Sequence, residues 1–381
     1  MKKSENKVKK EEILKENDLE EIIEGKNAEI KKVNGKPTKT VVYTLVGIII
    51  LAIIFFTIFG IGIYGFGWND KFTSKVYNFF PYPSSIVNYK FLSYADYADD
   101  VETLTYYYNQ QSKTNPDVFT MPTQDKIKEL VLERQIKDEY TSQLAKKLKV
   151  KVSSDEVEAE LQKIVDQAGS RESFDTMLKD LYNWDAQTFK DKVLYYYLLR
   201  IKLQEKIAFD DQLNQDAKKR AEDILALVKK GDQKFEDLAK QYSEDASASN
   251  GGELDPFTKG QMVKEFEDAA FALKVGEVSG IVRTQYGFHI IKLEGKIGEG
   301  DQTQLRVRHI LIRAKDIDTY INEQIKKARV WVVIPKIKWD KANSTVSIPG
   351  LNTNSQPSNA NNANSNTNNS NTNNSNINTN Q

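Results

Sequence analysis

The 381-residue sequence contains no cysteine and only two histidines, His289 and His309. The first absence excludes a disulfide framework, a thiol nucleophile and a Cys-ligated metal, and the second leaves a His-rich metal centre without ligands. No metal or other cofactor is expected. Net charge of one sign is also lacking, since 54 Lys and Arg cancel 54 Asp and Glu. That balance removes the basic footprint of a nucleic-acid binder, and no nucleic-acid partner is expected. What remains, 39% apolar and 28% charged residues, suits two or three packed domains rather than wholesale disorder.

Charge is missing altogether from residues 41–63, about 23 residues that would cover roughly 34 Å as a helix, enough for a hydrocarbon core of about 30 Å. Lys31, Lys32, Lys36 and Lys39 precede the run, whereas Trp68, Asp70 and Lys71 follow it. The basic excess places the N-terminus in the cytoplasm and everything after Trp68 outside the cell membrane. The run is too long for a signal-peptide core, no small-x-small cleavage site follows, and a lipoprotein anchor needs a cysteine. The expectation is a cytoplasmic tail at 1–40 and an uncleaved, single-pass signal anchor at 41–66. At the other end no charged residue follows Lys341, and Asn, Ser and Thr dominate from residue 352. Such a segment buries too little apolar surface to offset its ordering entropy, so 342–381 is expected as a disordered tail.

Residues 67–209 read as a helical domain. Ile127, Val131, Ile136, Tyr140, Leu144 and Leu148 recur at helical spacing, and Ser153 with Glu156 makes a capping-box signal. Tyr106, Tyr107, Tyr108, Tyr195, Tyr196 and Tyr197 fit two readings, packed core or a surface left open for unfolded chains. Downstream, Ala221, Ile224, Leu225 and Val228, then Phe235, Leu238, Ala239 and Tyr242, then Phe266, Ala270, Phe271 and Leu273 mark three further helices. Residues 280–284 and 288–293 are β-rich runs about a turn at Gln285, Tyr286 and Gly287, with His289, Ile291 and Leu293 on one face.

The stretch LVLERQIKDEYTSQLAKKLKVKVSSDEVEAEL resembles the N-terminal chaperone region of the PrsA/SurA-type extracytoplasmic foldases. Residues 234–295 are similar over their whole length to a parvulin peptidyl-prolyl isomerase domain: the Ser-Glu-Asp loop, Gly251-Gly252, Gly260-Gln261-Met262, Phe266 and Gly287-Phe288-His289-Ile290-Ile291 agree at once. The resemblance implies an α+β architecture: one transmembrane helix, a helical SurA-N-like domain, and a small parvulin domain with an antiparallel sheet at 210–335. It also implies catalytic or positioning roles for His309, His289, Asp245 and Thr284, and a prolyl-ring pocket at Leu254, Met262 and Phe266. Aspartate at 245 leaves no thiol there, so a hydrogen-bonding role is expected rather than a nucleophilic one. Asp255-Pro256 departs from the family pattern, which has Gly before the aromatic residue, and puts the pocket rim in doubt. In the loop after His309 only Arg313 and Lys315 are basic, too few for a phosphate-binding cluster.

One departure is larger. Parvulins open with a strand carrying a histidine, and the segment before Ala217 has none; RVRHILIR stands instead at 306–313, after the domain. A circular permutation would let this strand lie antiparallel beside the last one, with 296–304 as the connecting hairpin. A truncated second parvulin copy and a strand of the chaperone core are the alternatives. A helix at 317–327 and a strand at 330–334 follow. The expected function is a membrane-anchored isomerase and chaperone for unfolded or newly translocated polypeptides with Xaa–Pro bonds, against an inactive membrane-tethered holdase or a structural envelope protein. The sequence does not indicate an oligomeric state.

Overall fold

The computed structural model describes residues 39–68, 70–116 and 119–350. The expected tail at 1–40, save its last two residues, and the Asn-rich run after residue 350 lie outside them. The chain divides into two compact units, Met1–Val76 and Tyr77–Gln381. In the first, α1 (Lys39–Gly60) continues into a π-helical turn at Ile61–Gly65. Val46–Gly65, with a mean hydropathy of 2.9, is long and apolar enough to cross a membrane. Leu51, Ile53 and Ile58 are exposed on it. In water that exposure is unfavourable by about 25 cal/mol per Å², and a hydrocarbon surround relieves it. After it, α2 (Lys71–Phe79) crosses the boundary between the units.

The second unit opens with a hairpin of β1 (Pro83–Val87) and β2 (Lys90–Ser93). There follow α3 (Tyr94–Thr114), α4 (Gln124–Leu148), α5 (Ser154–Gln167), α6 (Arg171–Tyr182) and the short α7 (Ala186–Phe189), which runs through a π-helical turn into α8 (Tyr195–Ala208). Ser153 and Glu156 form both halves of the capping box at the start of α5. The α4 stripe serves two clusters: Ile127, Val131 and Ile136 pack with Tyr97 and Tyr108, and Leu144 packs with Leu199, Leu203 and Ile207 of α8. Of the tyrosines that fitted either packed core or open surface, four make packing contacts. Tyr107 stacks on Tyr182 at 5.1 Å, Tyr108 is buried beside Phe119, and Tyr195 and Tyr197 pack on the cluster around Phe174.

The remaining elements begin with α9 (Gln215–Lys230), α10 (Phe235–Tyr242), a 3-10 turn at Ala246–Asn250 and α11 (Lys264–Ala272). Next come β3 (Val282–Thr284), β4 (Gly287–Ile297) and β5 (Gln304–Arg313), an antiparallel sheet in the order β3-β4-β5. Alternation splits its strands between two cores. Phe288, Ile290, Ile310 and Ile312 face Ala221, Ile224 and Leu238 of α9 and α10, while Ile291, Leu293, Leu305 and Val307 face Phe257, Phe266 and Ala270.

The strand at 306–313 is therefore bonded along β4, and its other edge is taken as well. His309 N–H donates to the Gly252 carbonyl (2.8 Å), Leu254 N–H donates to Val307 O (3.1 Å), and Leu305 N–H donates to Phe257 O (2.9 Å). A strand paired on both sides leaves no open edge to aggregate.

Two expected boundaries are corrected. Residues after 316 do not pack as part of the isomerase unit drawn at 210–335: α12 (Ile317–Ile325) buries Ile317 and Ile321 against Leu144 and Leu203, and β6 (Val330–Val332) pairs antiparallel with β1. The chain returns to the helical region because the apolar faces of α4 and α8 are completed there. Nor does disorder begin at 342, since β7 (Lys338–Asp340) and β8 (Thr345–Ser347) form a hairpin that buries Val346, with Val346 N–H and Ile348 N–H donating to Glu133 and Glu129.

Candidate functional site

Opposite Ile291 on β4 stands His309 on β5, and opposite His289 stands Leu311. The two histidines are thus diagonal neighbours on one face, within reach of each other's rings. Their Nδ1 atoms lie 3.2 Å apart and the rings stack at 5.5 Å between centroids. Both are 4% exposed. Thr284, at the end of β3, places Oγ1 2.9 Å from His289 Nε2 and accepts the Tyr286 N–H at 3.1 Å.

At the other end, Asp245 precedes the 3-10 turn and accepts from Ser247 N–H (2.9 Å) and Ser247 O–H (2.5 Å), while His309 Nε2 stands 3.1 Å from Oδ1. The loop holding Asp245 is fixed to β5: Glu244 N–H donates to Leu311 O (2.8 Å) and Leu311 N–H to Ser243 Oγ (3.1 Å). Arg308 adds a clamp. Its guanidinium donates to the carbonyls of Asn250 (2.8 Å) and Gly251 (3.2 Å) and bridges Glu253 and Glu294.

One proton assignment satisfies these contacts in a single direction. An ionised carboxylate only accepts, so His309 Nε2 carries a hydrogen and its Nδ1 is free to accept. His289 then donates from Nδ1 and accepts from the Thr284 hydroxyl at Nε2. The chain Thr284→His289→His309→Asp245 is satisfied throughout in this direction. The reverse direction would turn a lone pair of His309 Nε2 toward the carboxylate, with only the Ser247 hydroxyl, 3.2 Å away, placed to donate to it. Burial first, then the neighbouring His309, pushes His289 down to about 3. The His309 hydrogen bond, then those from Ser247, hold the Asp245 carboxyl well below the usual carboxylate range against the opposing effect of burial.

Acid stability follows from those shifts. Below about pH 6.5 the unfolded His289 takes up a proton that the folded form refuses until about pH 3, so stability falls with pH across that window by up to roughly 1.4 kcal/mol per unit. Asp245, depressed in the fold, adds stability present above its ordinary range and lost on acidification, the same sign. Urea unfolding at pH 7, 6 and 5 is expected to show this slope, and His289→Gln, which does not titrate, is expected to flatten it. An unchanged slope in the variant would contradict a buried neutral His289.

Beneath the rings lies Phe266, buried, with its centroid 5.3 Å from that of His289 and 5.6 Å from that of His309, edge to face in both cases. Leu254 and Met262 are half-buried against the same cluster. The structure thus brings together His309, His289, Asp245 and Thr284 in one hydrogen-bonded chain, with Phe266, Met262 and Leu254 beside it. Phe257, after the divergent Asp255-Pro256, is core: it is buried against Leu305 and Phe266. Sequence reasoning missed Ser247 and Arg308. The Asp-x-Ser spacing of a turn at 245–247 could have signalled the first; nothing local signals the second.

Residues 30–200 match the SurA-like N-terminal domain family, and residues 198–295 match the PPIC-type PPIase domain family. The second match ends before β5, so the strand carrying His309 lies beyond it. The foldase protein PrsA of Caldanaerobacter subterraneus subsp. tengcongensis is 34% identical over 225 residues, 55% of this chain and 72% of that relative. The foldase protein PrsA of Bacillus subtilis is 47% identical over 112 residues, 29% of this chain and 38% of that relative. A crystal structure of PrsA from Bacillus subtilis, at 28% identity and a TM-score of 0.20, covers 57% of this chain and 78% of its own. The chain belongs to the PrsA foldase family, joining a SurA-like chaperone region to a parvulin-type peptidyl-prolyl isomerase domain.

Proposed function

We propose that the protein is held in the cell membrane by α1, with its N-terminus in the cytoplasm, and that outside the membrane it isomerises Xaa–Pro bonds in newly translocated polypeptides while its helical region restrains their aggregation. Rotation about such a bond faces roughly 18–20 kcal/mol because amide resonance must be given up. No covalent step is needed. Met262, Leu254 and Phe266 grip the pyrrolidine ring and exclude water, which favours the less polar twisted amide. Asp245 is the most open member of the hydrogen-bonded chain, its side chain 26% exposed against 6% for His309. Its negative charge beside the substrate carbonyl opposes the charge-separated resonance form that stiffens the bond. The histidines and Thr284 hold that carboxylate in place.

In this reading β5 is the displaced first strand of a circularly permuted parvulin domain. The support is that β5 is bonded on both edges and brings in the second histidine. The observation that carries the functional reading is the chain of four polar groups above Phe266. In proline-limited refolding, His309→Ala is expected to lower the catalysed rate about 100-fold, and Met262→Ala roughly tenfold, mainly through KM. Suppression of client aggregation is expected to be unchanged in both. No acceleration by the parent protein, with suppression intact, would leave only a tethered holdase.

A further inference from the structure

The sheet β2-β1-β6 has a second face that the core does not use. Phe91 on β2, Ile86 on β1 and Trp331 on β6 are direct cross-strand partners and form one row across it. Phe91 is 62% and Trp331 69% exposed. Beside them Tyr89, 74% exposed, sits in the left-handed region at φ +72 after Asn88 at φ +46. Such a two-residue turn favours glycine at its second position, and a side chain there is strained with no burial to offset it.

These residues and Trp339 line a groove of about 660 Å³. Among the described residues its charged lining is Arg329 and Lys341, without a carboxylate. Arg329 lies over the Tyr89 ring at 5.5 Å and bonds its hydroxyl. Aromatic walls and two cations are complementary to an extended apolar segment that bears carboxylates. The concavity fits a strand of polypeptide better than a flat bilayer.

We propose that this groove is a second polypeptide site, distinct from the prolyl pocket, that takes extended client segments in which aromatic or aliphatic residues are flanked by Asp or Glu. The inference rests on the foldase reading. β6 and β7 supply Trp331 and Trp339, and both follow β5 in the chain, so the groove is complete only once the displaced strand has been passed. Clients would then be held on the helical side by a site that does not inspect proline.

The test uses the full-length protein in neutral-lipid nanodiscs and two fluorescent, proline-free peptides of the same apolar sequence, one flanked by Glu and one by Lys. The Glu-flanked peptide is expected to bind at least about tenfold more tightly, and to lose about tenfold in affinity with Trp331→Ser and with the Arg329→Gln/Lys341→Gln pair. Isomerisation of a short Xaa–Pro peptide is expected to be unaffected by these exposed substitutions. Equal binding of the two peptides, or binding indifferent to the substitutions, overturns the proposal. So does peptide binding abolished by anionic lipid in the nanodisc, which would assign the face to the membrane, or self-association lost with Trp331→Ser, which would assign it to a second copy. Peptide binding with no isomerase activity would instead count against the catalytic reading alone.

Discussion

Gly252→Ala is expected to destabilise the isomerase domain by about 3 kcal/mol or more and to abolish its activity. Gly252 sits at φ +75, where a side chain is strained before any neighbour is considered. Its carbonyl accepts the His309 N–H at 2.8 Å, so the backbone must pass close against β5. An added Cβ would stand 3.1 Å from Ala239 Cβ and closer still to the His309 carbonyl oxygen, which is backbone and cannot rotate away. The loop 252–257 would have to lift from β5, and with it the bonds that hold Leu254 and Phe257. Chemical unfolding and prolyl isomerisation measured together check this. A variant of parental stability and rate would mean that the loop does not lie on the strand.

The second large effect is expected from Phe266→Ala. The ring is buried and makes edge-to-face contacts with both imidazoles and a tilted one with Phe257. Truncating a buried phenylalanine typically destabilises by about 3–5 kcal/mol, through lost transfer energy and the cavity left behind. Here the same cavity opens under the histidine pair. Loss of activity is therefore expected to exceed what unfolding explains, and to persist in conditions where the variant is fully folded. Phe266→Leu, which keeps most of the volume, is expected to recover stability more than activity. Equal recovery of both would make the ring a packing element only.

Residues whose role is set by local pattern are legible in the sequence. RVRHILIR at 306–313 resembles the strand that a parvulin carries at its front, and the missing front strand points its histidine to β4. Ser153 and Glu156 announce their helix start at a spacing that only a helix N-terminus explains. Partnership over long separations is not legible. Nothing in VWV at 330–332 says that it pairs with β1, more than two hundred residues earlier, because period-two alternation names a face and not a neighbour. The tyrosines stay ambiguous for the same reason: helical spacing shows that Tyr107 and Tyr108 lie near an apolar side, but Tyr182 and Phe119, which cover them, come from distant segments. β7 and β8 have three residues each, too few for periodicity to register. Ser247 stands among several serines, and the Asp-x-Ser turn spacing is the one local signal that pairs it with Asp245.

The proposed site depends on β5 seating His309 against His289 above Phe266. Because the chain has just two histidines, ¹⁵N imidazole spectra of the full-length protein test this with two spin systems. The expected spectrum has a proton on Nδ1 of His289 and on Nε2 of His309, with His289 neutral down to about pH 3. Both rings should shift together as a short Xaa–Pro peptide is added, with a midpoint equal to the KM of its isomerisation. Two independent imidazoles, with His289 titrating near its ordinary value of about 6.5 and neither responding to the peptide, would contradict the site.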